Sequence, residues 1–237
     1  MTGTRTPGAG AAPSPGQQER REVGPLTGKG QARRAALLAA AKRVFEVKGF
    51  LDTRVADIVA EARVAQGTFY TYFDSKDAIF QEVATGVVGE MLVALRTDGP
   101  HAGEPYERVY AAMERFVDAY RPRARIIALI EQVGTFTPEL KHLRLQVREA
   151  FVERSARGIA RQQEQGIADK SLDPMLTAEV LGAMVDHICY VWLNLGKDFD
   201  RGALLRTLTV VWTRAIGAEL PADLDTVGRT AAARPGK

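Results

Sequence analysis

The 237-residue chain is poor in the groups on which most enzymes and secreted proteins depend. It has one cysteine, Cys189, which excludes an internal disulfide; its place in an apolar helical pattern reads as a buried, inert thiol. There are three histidines, at positions 101, 142 and 187, and none stands beside a plausible nucleophile. His142 and Glu139 are three residues apart on a polar helix face, which reads as solvated surface. Glycine-rich phosphate loops, Cys-His metal clusters and paired-carboxylate motifs are absent, so no enzyme, metal or cofactor is expected. Runs of alternating strand residues are missing as well. No apolar run approaches the roughly 18 to 20 residues of a membrane span, and the N-terminus lacks the apolar segment of a signal peptide. The expectation is therefore a cytoplasmic protein without a membrane partner.

What the chain does have is helical periodicity, and its 46% hydrophobic content is enough for a real core. From Gln31 to Lys48, Leu37, Ala41, Val44 and Phe45 form one apolar stripe, and Gly49 is placed to end the helix in a left-handed conformation. Val55, Ile58, Val59 and Ala62 repeat the i, i+3, i+4, i+7 spacing behind Thr53, which stands where an N-cap belongs. After a turn at Arg63 to Ala65, only Phe69 and Phe73 keep a buried i, i+4 spacing. Gln66, Gly67, Thr68, Tyr70, Thr71 and Tyr72 are left to face outward on a short helix rich in hydrogen-bonding groups and poor in charge. Such a helix fits a DNA major groove.

Beyond Lys76 the pattern predicts helices over 76–96, 105–120, 123–134, 138–167, 174–196 and 201–218, punctuated by Asp98-Gly-Pro, Pro105, Pro122, Pro138, Gly166 and Pro174. The fold class is all-α with about nine helices. Residues 27–75 form a helix-turn-helix head and 76–220 a helical bundle, while 1–26 and 221–237 have the composition of a flexible arm and a disordered tail. Arg20 and Arg21, near the end of the arm, are candidates for phosphate or minor-groove contact. Charge follows the same division. Residues 1–76 hold 12 Lys or Arg against 7 Asp or Glu, whereas 77–220 hold 17 against 20, so the basic excess coincides with the head and suits a polyanionic partner.

The stretch from Thr53 to Lys76 resembles the DNA-binding signature of TetR-type bacterial transcriptional regulators, through Gly49-Phe50, Thr53, Asp57-Ile58, Ala62, Val64, Gly67-Thr68, Tyr70, Tyr72-Phe73 and Ser75-Lys76. The resemblance implies a homodimer with two DNA-binding heads and an effector that lowers DNA affinity. It also implies that Gln66 and Gly67, and Thr71 one turn later, approach base edges, while Thr53, Thr68, Tyr70, Tyr72 and Lys76 contact phosphates. Lys76 has an independent argument: a cation in the first turn of the helix opened by Ser75 opposes the macrodipole, and a phosphate would relieve that conflict. Two positions depart from the family pattern. Arg63 takes a turn position usually held by Gly, and Ala65 replaces the usual Ser or Thr cap of the recognition helix.

In the bundle, Tyr106, Tyr110, Met113, Val117 and Tyr120 share one face of the 105–120 helix with Phe116 beside it, a stripe that reads first as plain core and second as pocket. Met113, Phe116, Phe136, Phe151, Met184, His187 and Tyr190 are candidate pocket residues for a hydrophobic or amphipathic small-molecule effector, with a satisfied core histidine as the competing reading of His187. The helices at 174–196 and 201–218 are apolar on more than one face, through Val180, Leu181, Met184, Val191, Trp192, Leu204, Leu208, Val211 and Trp212, which argues for a homodimer interface there. Two-fold symmetry then predicts a palindromic operator in double-stranded DNA. The function expected is that of a repressor released by its effector. A rival reading keeps the DNA binding but makes the bundle a module for a protein partner, and an all-helical enzyme is the remaining alternative.

Overall fold

Thr27 opens the first helix by accepting the Gly30 N–H at 3.3 Å. The computed structural model describes residues 27–96, 103–135, 138–222 and 224, and among these there are nine α-helices, one 3-10 turn and no strand. The helices are α1 (Gly28–Asp52), α2 (Val55–Ala62), α3 (Gln66–Tyr72), α4 (Lys76–Ala94), α5 (Pro105–Tyr120), α6 (Ala124–Val133), α7 (Pro138–Glu164), α8 (Pro174–Leu193) and α9 (Arg201–Ala215), with the 3-10 turn at Arg121–Arg123 between α5 and α6. Arg20, Arg21, His101 and Phe136 lie outside the described residues, as do residues 1–26 and nearly all of 221–237.

Helix boundaries follow local chemistry. Gly49 has φ 78°, which a side chain would resist, so α1 breaks there and its last turn runs off at a new angle to Asp52. α2 starts differently from the expectation. Its N-cap is Arg54, whose N–H donates to Asp57 Oδ2 at 2.9 Å, and Thr53 is buried at 1% exposure with its hydroxyl donating to the Gly49 carbonyl at 2.6 Å. The kink at Gly49 offers that carbonyl to Thr53, so the hydroxyl turns back toward α1. Asp173 and Asp200 cap α8 and α9 by accepting the N–H groups of Leu176 and Ala203, each at 2.7 Å.

Two cores result. The head core gathers Leu37, Phe45, Phe50, Ile58, Phe69, Phe73, Ile79 and Phe80, with Phe45 and Phe50 each against Phe80 at ring separations of 5.0 and 4.9 Å. Each such ring contributes about 1.5–3 kcal/mol by burial alone. The bundle core is built from α5, α7, α8 and α9, including Val117, Tyr120, Ile159, Val185, Cys189, Leu205 and Ile216. α6 serves both cores: Ile126, Leu129, Ile130 and Val133 face the head while Ala124 faces the bundle. Burial pushes the Cys189 thiol up to about 12, which makes it inert at neutral pH.

α8 corrects one expectation. At 20 residues it is long and apolar enough to cross a membrane by length and composition alone. The reason is visible in its two faces: Ala178, Leu181, Val185 and Cys189 fill the bundle core, while Met175, Leu176 and Val180 are exposed on other sides of the helix. Apolar residues serving two surfaces give one helix a hydropathy that neither surface would give alone.

Candidate nucleic-acid interface

The head presents α3 on its surface because α2 and the turn after it hold α3 from behind. Ile58 and Val59 of α2 are buried, with Val55 and Ala62 half-buried at the edge of the stripe. Arg63 then adopts φ 55° and ψ 44°, the one positive-φ non-glycine conformation among the described residues, while its N–H donates back to Ala60 O at 3.2 Å. A left-handed arginine costs about 1–2 kcal/mol relative to its ordinary conformation. Ala65 is the N-cap of α3 and provides no side-chain hydrogen bond. Both departures from the family pattern are therefore physical features of the turn. What fixes α3 is its apolar side, where Phe69 is fully buried and Phe73 nearly so.

The opposite side of α3 carries Gln66, Gly67, Tyr70 and Thr71, all exposed, with Tyr70 at 54%. Tyr70 is braced edge-on against Phe69 at 5.3 Å, so its phenol is carried outward on a fixed ring. Thr71 donates to the Gly67 carbonyl at 3.1 Å, leaving its hydroxyl oxygen able to accept. Thr68 is half-buried, and Tyr72 is too, packed against the head core, so it presents less than the full ring expected of it. Arg63, exposed at the start of this surface, forms no ion pair among the described residues.

Two residues of the expected phosphate set have partners within the chain. Thr53 is buried as described. Lys76 donates its ammonium to the carbonyls of Phe50 at 2.7 Å and Leu51 at 3.4 Å and lies 4.4 Å over the Phe50 ring. The conflict between this cation and the α4 macrodipole is thus relieved within the chain, because the last carbonyls of α1 supply the negative end. Arg34 makes a second tie, paired with Glu82 of α4 and stacked 5.1 Å over Phe73 at the end of α3.

Deeper in the chain, a cavity of about 120 Å³ is enclosed by α4, α5, α6, α7 and α8. Val88, Met91, Leu92 and Leu95 form its α4 wall and Ile127 and Ile130 its α6 wall; Phe116 and Phe151, ring centroids 4.9 Å apart, form an aromatic side. Glu131, Arg148 and Asp186 bring charge to an otherwise apolar lining, with Arg148 paired to Glu179. Burial, and after it the nearby Asp186 carboxylate, pushes the Tyr120 phenol well above its ordinary range, so it stays neutral.

Of the pocket residues expected from sequence, Phe116 and Phe151 line this cavity. Met113 is buried in the bundle core and Met184 packs half-buried against it. His187 is corrected more sharply: it is exposed and stacked on Tyr190 at 6.2 Å, on the outer side of α8. The α4 wall was missed although its signal is plain, since 88, 91, 92 and 95 repeat the helical i, i+3, i+4, i+7 spacing. Around the outside, Leu204, Leu208 and Trp212 are buried within the chain's own core, whereas Val180 and Val211 remain 62% and 42% exposed. The outer stripe of α8, through Leu176, Val180, Ala183 and His187, and that of α9, through Ala203, Thr207 and Val211, are largely uncharged.

A family model describing bacterial regulatory proteins of the tetR family matches residues 37–83. The HTH-type transcriptional regulator YdgC of Bacillus subtilis is 31% identical over 182 residues, covering 73% of this chain and 88% of that protein. The HTH-type transcriptional repressor BepR of Brucella suis is 29% identical, with 70% and 83% covered. Among solved structures, the fatty acid degradation regulator FadR from Bacillus halodurans superposes with a TM-score of 0.64 at 18% identity, covering 76% of this chain and 94% of that one. The TetR family transcriptional regulator PfmR from Thermus thermophilus does so at 0.60 and 20%, with 76% and 97% covered.

Proposed function

This chain belongs to the tetR family of bacterial regulatory proteins and is a DNA-binding transcriptional regulator, and from that premise we propose that it is a dimeric repressor released from a palindromic operator by a small hydrophobic or amphipathic effector. One observation carries the reading. α4 starts beside the recognition helix, where Lys76 and Glu82 tie it to the head, and its far half is a wall of the apolar cavity. A ligand in that cavity touches the same rigid element that holds the DNA-reading surface.

In this reading Gln66, Gly67 and Thr71 meet base edges, Gln66 pairing bidentately with an adenine, while Thr68, Tyr70, Tyr72 and Arg63 meet the backbone. Thr53 and Lys76 position the head. The exposed stripes of α8 and α9 join two copies, which sets the heads about one DNA turn apart or a multiple of it. The effector favours the dimer state whose heads are misplaced for successive grooves, so binding of ligand and of operator oppose each other. The repressor named among the relatives and the fatty-acid regulator among the solved folds agree with this polarity and with an apolar ligand.

The test has two parts. Genomic footprinting of the full chain should recover an inverted repeat, and anisotropy titration of that duplex should show affinity falling steeply with salt. A thermal-shift screen of medium-chain fatty acids and apolar amines should then yield compounds that both raise the melting temperature and release the duplex. Compounds that stabilise the protein but leave the DNA complex intact would move the bundle to the partner-module reading. Salt-insensitive binding would overturn the backbone contacts.

A further inference from the structure

A second, polar cleft lies where the head meets the bundle. It is lined by Glu46 of α1, Arg121 and Pro122 of the 3-10 turn, Ala124 and Arg125 of α6, and Leu193 and Asn194 at the end of α8. Three segments distant in sequence thus converge on one opening, and it shares no lining residue with the apolar cavity.

The groups in it are short of partners. Arg121 lies with its guanidinium carbon 4.7 Å from the Trp192 ring centroid, a contact that restrains the side chain and leaves its N–H groups without a hydrogen-bond partner among the described residues. Arg125 donates Nε to the Glu46 carbonyl at 3.1 Å and keeps its terminal nitrogens free of any recorded hydrogen bond. Neither guanidinium is paired with a carboxylate among the described residues. At the floor, both polar atoms of the Asn194 side chain are closed off from solvent and have no hydrogen-bond partner. A buried polar group left unmet is costly, and natural folds rarely leave one so. The Glu46 carboxylate offsets one of the two arginine charges, so the cleft keeps a net positive charge.

We propose that this cleft is a binding site for a small oxyanion, phosphate or carboxylate, held by Arg121 and Arg125 and by the Asn194 amide after a small side-chain rotation. Paired guanidinium edges match the geometry of such oxygens, and Arg121 is pre-oriented by its ring contact. An ion held here ties the 3-10 turn and the start of α6 to the end of α8 and reaches α1 through the Arg125 Nε bond to the Glu46 carbonyl, so its occupancy stiffens the seam between head and bundle and gives the regulator a second input beside the apolar cavity.

The experiment uses the full chain with inorganic pyrophosphate and citrate, each against sodium chloride at matched ionic strength. Whichever anion class fits should raise the melting temperature by roughly 5–10 °C at a hundredfold excess over Kd and slow hydrogen exchange of the α1 amides around Glu46. Response to pyrophosphate alone identifies a phosphate ligand, and response to citrate alone a carboxylate ligand. Arg121→Gln should abolish both effects, and Arg63→Gly, on the DNA face, should leave them whole. Asn194→Leu should raise the melting temperature of the ion-free protein and weaken the response to the ion. Shifts no larger than those with chloride, or a full response in Arg121→Gln, would overturn the proposal.

Discussion

Replacing Arg63 separates two physical roles of one residue. Its backbone sits at φ 55° and ψ 44°, where a Cβ costs about 1–2 kcal/mol. Glycine removes that cost but enlarges the conformational entropy of the unfolded chain by about 0.5–1 kcal/mol. The net gain for Arg63→Gly is then about 0.5–1 kcal/mol, a rise in melting temperature of roughly 1–4 °C for a chain of this size. Arg63→Ala keeps the strained Cβ and should show no rise. The side chain is exposed without an ion pair, so its loss removes little else from the fold. On DNA the two variants should agree with each other: both lose one cation, and the slope of log affinity against log salt should fall by about one. Calorimetric melts of the three proteins and anisotropy titrations over a salt series measure both effects. A melting temperature for Arg63→Gly equal to or below that of Arg63→Ala would refute the strained-turn argument. An unchanged salt slope would refute the phosphate contact while leaving the strain intact.

Three further substitutions probe other parts of the molecule. Gln66→Ala should weaken operator binding by about 1–3 kcal/mol, roughly 5- to 150-fold, and relax preference at one base pair, as read from a set of single-substitution duplexes; equal loss on every duplex would mean that Gln66 does not read sequence. In Gly182→Ala the new Cβ would lie 3.2 Å from the Phe151 ring, displacing it toward the cavity that both residues line. Operator affinity should hold within about twofold while the effector concentration needed for release rises about tenfold; unchanged release would place the ligand elsewhere. Asp57 has its carboxyl held below the ordinary 3.8, first by the Lys48 side chain and next by the Arg54 N–H. A depressed folded value contributes stability above the unfolded value that disappears as pH falls through the folded one. Asp57→Asn should therefore melt below the parent at pH 7, with the difference closing as pH falls below the ordinary carboxylate range; a gap independent of pH would show that the charge contributes nothing.

Many of the helices were readable because they are delimited by residues whose chemistry acts locally. Thr27, Ser75, Asp173 and Asp200 accept amide protons at helix starts, and Gly49 turns where other residues resist turning. The exposed face of α3 was readable for a similar reason, since Phe69 and Phe73 leave a seven-residue helix only one side to expose. The contacts of Lys76 were not legible because its partners are backbone carbonyls 25 and 26 residues away, brought to it by tertiary packing that no spacing records. Thr53 failed likewise once the kink at Gly49 turned a carbonyl toward it. His187 shows a different limit. α8 is apolar on two sides, and periodicity cannot say which of them meets the chain's own core.

The ties at the start of α4 also set the gain of the molecule as a machine. With Lys76 hooked onto the end of α1 and Glu82 onto Arg34, the head is a rigid blade on a stiff handle. Nineteen residues at 1.5 Å per residue make that handle about 28 Å long. If the pivot lies at the cavity end, a tilt of about 5° sweeps the blade through roughly 2.5 Å, while the side chains beside the pivot shift by only a few tenths of an ångström. In the proposed dimer a ligand need not pry the head open or unfold any part of it; a displacement no larger than a loose core contact, applied at the short arm, would suffice to move the two blades out of step with the grooves.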